Sequence, residues 1–524
     1  MLLESLQSGK QIYHFPQQGD TENLAKYIYS FISNYKATIK KNNQILSSSS
    51  DKDDDVEFRD QGFTRPVVLV LAPFRNSAFE LVNSLIETSS IKTIQSRKRF
   101  LAEFGPGEQE QRQEQDLLTE DDSTSCEKRA SLGSYKKPPD GETVHSDSDM
   151  TASVSESDSD LISESTAPIK RKLPESPFKG NVDDHFRLGI RIGSRSISLY
   201  EKFYGSDLII ASPLSLRILI GSKGDTSMKH DHDFLSSLRL LIILEADVIN
   251  MQNWDHLLHV HEHINLIPTK SYACDFSRIH PLLLDGKGKE ALQTLISTKY
   301  ATPEINSFWR ALPKEKIGST ITASPSINTS MPPKWTAGCK LAINFFLKRS
   351  EDSVNTISYF DSEVLSAIAK MKGNPHPQRI CIYVPSYLDY VQIKAKLQER
   401  GDIAFKAVSD YSSDGEIIGA RSSFFNRHTR VLLLSERLLY FKRLLFRGIE
   451  QLIFFGPPTD PSLYDHLVHY CMPIDNGGTN CQVPTVSMYV NMPEDALALE
   501  RLVGPEPIAA HYGPSALNRM LVER

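Results

Sequence analysis

Three groups of residues in this 524-residue sequence have types and spacings that invite chemistry. Ser8-Gly9-Lys10-Gln11 contains the Gly-Lys pair of a phosphate-cradling loop. Such a loop, G-x-x-x-x-G-K-[ST], holds phosphates on backbone N–H groups, neutralises them with Lys and places its hydroxyl on Mg²⁺. Here the first Gly is missing at the required spacing and Gln11 stands where the hydroxyl is needed. A chance tripeptide is the favoured reading. His256, His259, His261 and His263 form the second group. His259 and His263 are four apart and share one helix face. Glu262 is not placed as H-E-x-x-H requires, and no Cys or carboxylate cluster completes a site. Ordinary solvent-facing or partner-facing histidines are therefore favoured over a metal centre, and no metal is expected. The third group, Lys442, Arg443 and Arg447, follows an apolar run at Arg430–Leu434. Clustered cations of this kind make salt-dependent contacts with nucleic-acid phosphates, or serve as plain surface charges. A serine nucleophile elbow, G-x-S-x-G, is absent.

These residues need elements to position them. Asn23–Ile39 repeats apolar positions at helical spacing. Arg65-Pro-Val-Val-Leu-Val-Leu-Ala-Pro73 is an apolar run bounded by prolines, as in a strand buried on both faces. A helical stretch, Ser77–Glu87, follows it. Asp207–Ala211 and Arg239–Leu244 predict two more buried strands. Further on come a strand at Arg379–Val384, a helix at Tyr390–Arg400, and strands at Arg430–Leu434 and Gln451–Phe455. Strands alternating with helices predict an α/β chain with parallel sheets, in two halves.

Charge is distributed unevenly. Residues 106–166 hold sixteen acidic and five basic side chains, leaving 49 acidic and 54 basic elsewhere. A mildly basic body with an acidic insert suits a nucleic-acid partner without requiring one. The stretch from about 105 to 178 is too poor in large apolar groups to offset its ordering entropy and is expected to be disordered. Its Ser146–Asp149 and Ser155–Asp160 runs suit acid-directed phosphorylation, with an unmodified solvating loop the alternative. The six cysteines form no C-x-x-C pair, which fits a reducing compartment. The first residues lack a basic start followed by a long apolar run, so no secretory signal is expected, and no apolar run is long enough for a membrane span.

Several segments resemble superfamily-2 helicase motifs, in order. Leu71-Ala-Pro-Phe-Arg-Asn-Ser-Ala78 resembles the P-T-R-E-L-A motif of DEAD-box proteins, Ala211-Ser-Pro213 their T-P-G segment, and Leu244-Glu-Ala-Asp247 the D-E-A-D box itself. Gln293–Thr298 resembles the strand leading into S-A-T, and Cys381–Val384 the first strand of a second helicase domain. Longer phrases narrow the match. Phe58-Arg-Asp-Gln-Gly-Phe-Thr-Arg-Pro66, Asp183–Ile190, Ser206–Leu214, Met251–Trp254, Asp275-Phe-Ser-Arg278, Tyr383–Tyr387 and Phe446–Ile449 together resemble the U3 small nucleolar RNA-associated protein 25 family, also called digestive organ expansion factor.

The resemblance implies two RecA-like domains with parallel sheets, superfamily-2 helicase-like, plus the disordered acidic insert. The expected organisation is an N-terminal helical segment and linker at 1–57, a first RecA-like domain at 58–318, a linker at 319–350 and a second RecA-like domain at 351–524. It implies a nuclear, nucleolar ribosome-assembly factor of the small-subunit processome, needed to process pre-ribosomal RNA towards 18S. The implied partners are the U3 small nucleolar ribonucleoprotein, pre-ribosomal RNA and processome proteins, with no membrane and no cofactor. By resemblance, Arg75, Asn76 and Ser212 contact RNA phosphates. Catalysis is not expected. The first Asp position of the box is Leu244, which cannot hold hydrated Mg²⁺, so Leu244, Glu245 and Asp247 make a degenerate nucleotide site. Tyr464–Tyr470, where the arginine clamp belongs, contains no arginine, and one missing arginine alone costs ~10³-fold or more. Two alternatives stay open: an RNA-dependent ATPase with a divergent nucleotide site, and an adaptor that binds only protein.

Overall fold

A computed structural model describes residues 2–16, 19–48, 57–106, 178–221, 230–270, 272, 274–314, 318–321, 340–346, 356–371, 378–444, 446–468, 485–491, 495–503 and 519–522. The expected acidic insert with its Ser-Asp runs, and the centre of the expected linker, lie outside those residues.

The central strands form where the sequence is apolar over four or five residues, and the strands assemble into two sheets. The first contains β1 (Gln11–His14), β2 (Val68–Leu71), β3 (Thr93–Gln95), β4 (Arg187–Ile192), β5 (Ser196–Leu199), β6 (Leu208–Ala211), β7 (Leu240–Ile243), β8 (Gln293–Ser297) and β9 (Ser319–Ile321). Their order is β3-β5-β4-β6-β2-β7-β8-β1-β9. Pairing is parallel except for β4, which runs antiparallel to β5 and β6. The second contains β10 (Lys340–Phe346), β11 (Ile380–Val384), β12 (Phe405–Val408), β13 (Val431–Ser435), β14 (Gln451–Phe455), β15 (Thr485–Asn491) and β16 (Arg519–Val522), ordered β12-β13-β11-β14-β15-β10-β16. Only β16 is antiparallel to its neighbour.

Both sheets are covered on two faces in their central parts, which is why the central strands read as continuous apolar runs. In β2, Val68 and Val70 enter one core while Leu69 and Leu71 enter the other. In β13, Leu432 and Leu434 face one core, and Val431 and Leu433 the opposite one. The chain thus has two RecA-like α/β lobes. Among the described residues no helix is long and apolar enough to cross a membrane.

The first lobe begins earlier than expected. β1 lies inside the first sheet between β8 and β9, and the helix Asp20–Ser48 buries Leu24, Ala25, Ile28 and Ile32 in the same core as β2. Residues 11–48 are therefore built into this lobe rather than set apart as a helical segment. The short polar run Gln11-Ile-Tyr-His14 carries no strand signature. It is held by specific bonds: Gln11 Nε2 donates to the Leu292 carbonyl at 2.9 Å, and its Oε1 accepts from Thr294 N at 2.6 Å. At the other boundary, β9 and β10 lie in the two sheets and take up both ends of the expected 319–350 linker.

Candidate functional site

Open α/β sheets bind ligands beyond the C-terminal ends of their strands. In the first lobe the strand-to-helix unit that would cradle a phosphate is β1, followed by Phe15 and Pro16, and the helix from Asp20, with residues 17 and 18 outside the described ones. Ser8-Gly9-Lys10 is not in that unit. It follows the helix Leu2–Gln7 and leads into β1, the reverse order, with Lys10 exposed. The helix that should receive phosphate at its N-terminus opens with Asp20, whose Oδ2 lies 2.9 Å from His14 Nε2. Sequence reasoning missed this turn because its residues, Phe15, Pro16 and Gly19, lack a Gly-Lys signal.

A cavity of about 120 Å³ opens here, with His14, Asp20, Glu80, Leu244 and Glu245 in its lining. It is small and carries three carboxylates. Leu244 follows β7 and packs against the core. Glu245 adopts a left-handed backbone (φ 46°), and its Oε2 is buried with no hydrogen-bond partner among the described residues. Burial, with Asp247 and Glu80 adding to it, pushes its pKa up to about 7. Asp247 is buried too, and burial raises its pKa. It accepts from Thr298 Oγ1 at 3.2 Å and Lys299 N at 3.0 Å, tying the end of β7 to the turn after β8.

The facing lobe contributes Glu436, which follows β13 and is 1% exposed. It accepts from Thr459 N at 2.9 Å and Thr459 Oγ1 at 3.2 Å, yet burial pushes its pKa up to about 8. No arginine comes from the described part of the Tyr464–Tyr470 segment, where His466 Nε2 instead meets the Leu444 carbonyl at 2.9 Å. An arginine does enter from elsewhere. Arg501, on the helix Ala496–Val503, donates to the Ala301 carbonyl of the first lobe and lies 4.9 Å from the Tyr300 ring centroid. Sequence reading had no signal for it, because its partners lie 200 residues away.

The candidate RNA residues fall into two sets. Arg75 opens the helix Arg75–Ser89 and is engaged on all sides: Nε with Asp183 Oδ2 at 2.8 Å, Nη1 with the Glu103 carbonyl at 3.3 Å and Nη2 with the His185 carbonyl at 2.9 Å. Asn76 Nδ2 donates to the Lys179 carbonyl at 2.7 Å. Ser212 is buried and caps the helix Pro213–Ile220, its Oγ accepting from Ser215 N at 3.1 Å. Phe178 stands between the lobes, 5.5 Å from Phe74, 5.3 Å from Tyr440 and 5.3 Å below the Arg443 guanidinium. In the second set Lys442 is exposed and paired with Asp414, and Arg447 is exposed with no ion pair among the described residues. A cavity of about 440 Å³ joins the faces, lined by Phe74, Ser212, Gln252 and Asn253 on one lobe and Arg437 and Phe441 on the other. Three of the four histidines serve the fold: His259 Nε2 meets the Gly221 carbonyl at 2.9 Å, His263 Nδ1 meets the His259 carbonyl at 2.8 Å, and His261 packs on Phe308, while His256 lines the interlobe cavity.

A family model described as "UTP25, NTP hydrolase-like domain" matches residues 16–126 and 150–319, more than half of the chain. The chain belongs to the UTP25 family. A second model, "Utp25, C-terminal domain", matches residues 346–512, so the two lobes correspond to the family's two domains. The U3 small nucleolar RNA-associated protein 25 of Schizosaccharomyces pombe is 30% identical across 93% of this chain and 65% of its own length. The Homo sapiens homolog is 31% identical across 90% of this chain and 56% of its own length. This chain thus spans between half and two thirds of those UTP25 relatives. The RNA-helicase Prp28 of Chaetomium thermophilum bound to ADP covers 97% of this chain at 10% identity, with a TM-score of 0.25, too loose a likeness to carry weight.

Proposed function

We propose that this UTP25-family chain is a non-catalytic, nucleolar ribosome-assembly factor. In this reading it joins the U3 small nucleolar ribonucleoprotein in the small-subunit processome, where pre-ribosomal RNA is processed towards 18S, and it binds RNA, processome proteins or both. The names of its relatives support the assignment to U3. The observation that carries the non-catalytic part is the cavity after β1. Where an ATPase needs a lysine and a metal-holding carboxylate, this chain has the His14–Asp20 pair and Leu244. A triphosphate entering there meets Asp20, Glu80 and Glu245 with no cation among the described lining residues except His14, whose pKa burial lowers. Arg501 is already taken by Ala301 and Tyr300.

Two measurements test this reading. A pull-down of the tagged chain from nuclear extract should enrich U3 RNA and 18S precursors over a mock. Thermal unfolding with millimolar Mg-ATP should show no shift, whereas ATP at 100 times its Kd would stabilise by about 2.7 kcal/mol. A clear shift together with RNA-stimulated phosphate release would install the ATPase reading instead. The protein-adaptor reading gains from one observation: Arg75 and Asn76 are taken up by the chain itself. Salt-dependent RNA binding that needs Arg447 separates the two.

A further inference from the structure

The site above is built at the C-terminal ends of β2, β6 and β7. At the N-terminal ends of β2 and β6, one strand length or roughly 13 Å away, a second cavity of about 800 Å³ opens. Nothing in the proposed role uses it. Asp207, the residue before β6, is 2% exposed and forms its floor. Its carboxylate accepts from Ile192 N at 2.8 Å and Arg65 Nε at 2.9 Å and pairs with Lys36. Lys36 also donates to the Ile192 carbonyl at 2.6 Å. Lys40 and Arg191 stand at the rim, both exposed and in no ion pair among the described residues. Four cations therefore line a cavity with a single carboxylate in its wall.

Asp207 holds Lys36 and Arg65 in place without using up the donors of the cluster. Arg65 engages Asp207 through Nε alone, leaving both terminal NH₂ groups, and Lys40 and Arg191 keep their full donor sets. The Lys36 ammonium is crowded: burial, then Arg65 and Arg191, push its pKa down, while Asp207 opposes them. An anion placed here would relieve that repulsion.

We propose that this cavity binds a phosphorylated, acidic peptide segment of a partner protein, with a phosphate monoester as the anchor. Arginine clusters recognise such motifs through charge-assisted, forked hydrogen bonds. Single-stranded RNA fits less well, because sequence-tolerant RNA binding uses open aromatic faces. Here the Arg239 guanidinium covers the Tyr35 ring at 5.0 Å, and Tyr204 is stacked on Tyr272 with centroids 4.5 Å apart. Two of the cations, Lys36 and Arg65, converge on one carboxylate, and Lys40 and Arg191 line the same cavity, which suits a compact dianion. The inference does not depend on the role proposed for the interlobe site.

Fluorescence anisotropy on the full chain tests it with three labelled probes of equal length: a Ser/Asp/Glu peptide phosphorylated on serine, the same peptide unphosphorylated, and oligouridylate. The phosphopeptide should bind at least tenfold tighter than its unphosphorylated twin. Lys40→Glu with Arg191→Glu should weaken it tenfold or more at an unchanged thermal midpoint. Should the reversals disturb folding, Lys40→Gln with Arg191→Gln carries the same comparison. Equal affinity for the two peptides, or a phosphopeptide affinity untouched by the substitutions, overturns the proposal. Loss of oligouridylate rather than phosphopeptide binding also overturns it and makes the cavity a nucleic-acid site.

Discussion

Replacing Glu436 by Gln should stabilise this protein, and more so as pH rises. Glu436 is 1% exposed, and burial, with Asp460 adding to it, lifts its pKa from 4.5 in a free chain to about 8 in the fold. Its two bonds from Thr459 oppose the shift without cancelling it. The raised value means that the folded chain holds a proton the unfolded chain releases. Stability from this group is full below pH 4.5 and is lost as pH climbs towards 8, by about 1.4 kcal/mol per pH unit. At pH 8 the accumulated loss is on the order of 4 kcal/mol. Gln mimics the protonated acid and does not titrate. It keeps an oxygen for Thr459 N, and its amide can donate to Thr459 Oγ1. The variant should match the parent within about 1 kcal/mol at pH 5, the worth of one altered hydrogen bond, and exceed it by several at pH 8. Guanidinium unfolding followed by far-ultraviolet circular dichroism at each pH unit from 5 to 8 measures the difference. Parallel pH profiles for parent and variant would refute the argument, because Glu436 would then be ionised in the fold and stabilised by something other than Thr459.

Three more outcomes are expected. Asp60→Ala removes the carboxylate that grips Arg278 with contacts of 2.6, 2.8 and 2.9 Å, both side chains being nearly buried; stranding that guanidinium should cost about 3–5 kcal/mol in denaturant unfolding. Arg501→Ala deletes a link from the second lobe to Tyr300 and Ala301; at about 1–3 kcal/mol for a desolvated stacked and bonded arginine, it should loosen the lobes and raise the radius of gyration in X-ray scattering, and an unchanged value would mean that other contacts hold them. Arg447→Glu, at an exposed position, should leave the melting midpoint alone while lowering the salt slope of RNA binding by about one unit per lost phosphate contact. An unaltered slope would remove Arg447 from the RNA reading.

The strands that position the site were legible, and the contacts that fill it were not. β2, β6 and β7 announce themselves because each is apolar on both faces and bounded by turn or polar residues. β1 does not, since it buries Gln11 and His14 and is held by Leu292 and Thr294, more than 280 residues away. With β1 silent in the sequence, the only Gly-Lys candidate for a phosphate turn ahead of β2 is Ser8-Gly9-Lys10, favoured as a chance tripeptide, and it lies outside the strand-to-helix unit. Arg75 and Asn76 read as available donors because their partners, Lys179, Asp183 and His185, lie more than 100 residues further on, past the acidic segment. Asp60 and Arg278 sat in two of the family phrases, and their pairing across 218 residues could be seen only in three dimensions.

The charges at the interlobe site share one physical logic. A buried ion without a partner costs several kcal/mol, so a site that works with a ligand must answer its own charges when none is bound. Here Arg75 turns to the Glu103 and His185 carbonyls and to Asp183, Asp247 to Thr298 and Lys299, and Arg501 to Ala301. Glu245 and Glu436 meet the same cost differently, with burial favouring their neutral forms. Almost every charge that would grip a metal–triphosphate is thereby satisfied or neutral, and binding one would first require breaking these contacts. At the opposite end of the first sheet the balance is reversed: Lys40 and Arg191 are exposed, and Arg65 keeps open donors over a satisfied Asp207. On this reading the ligand-ready face of the first lobe is the N-terminal end of its sheet, so an anion should bind there without reorganisation while Mg-ATP should not bind at the other end at all.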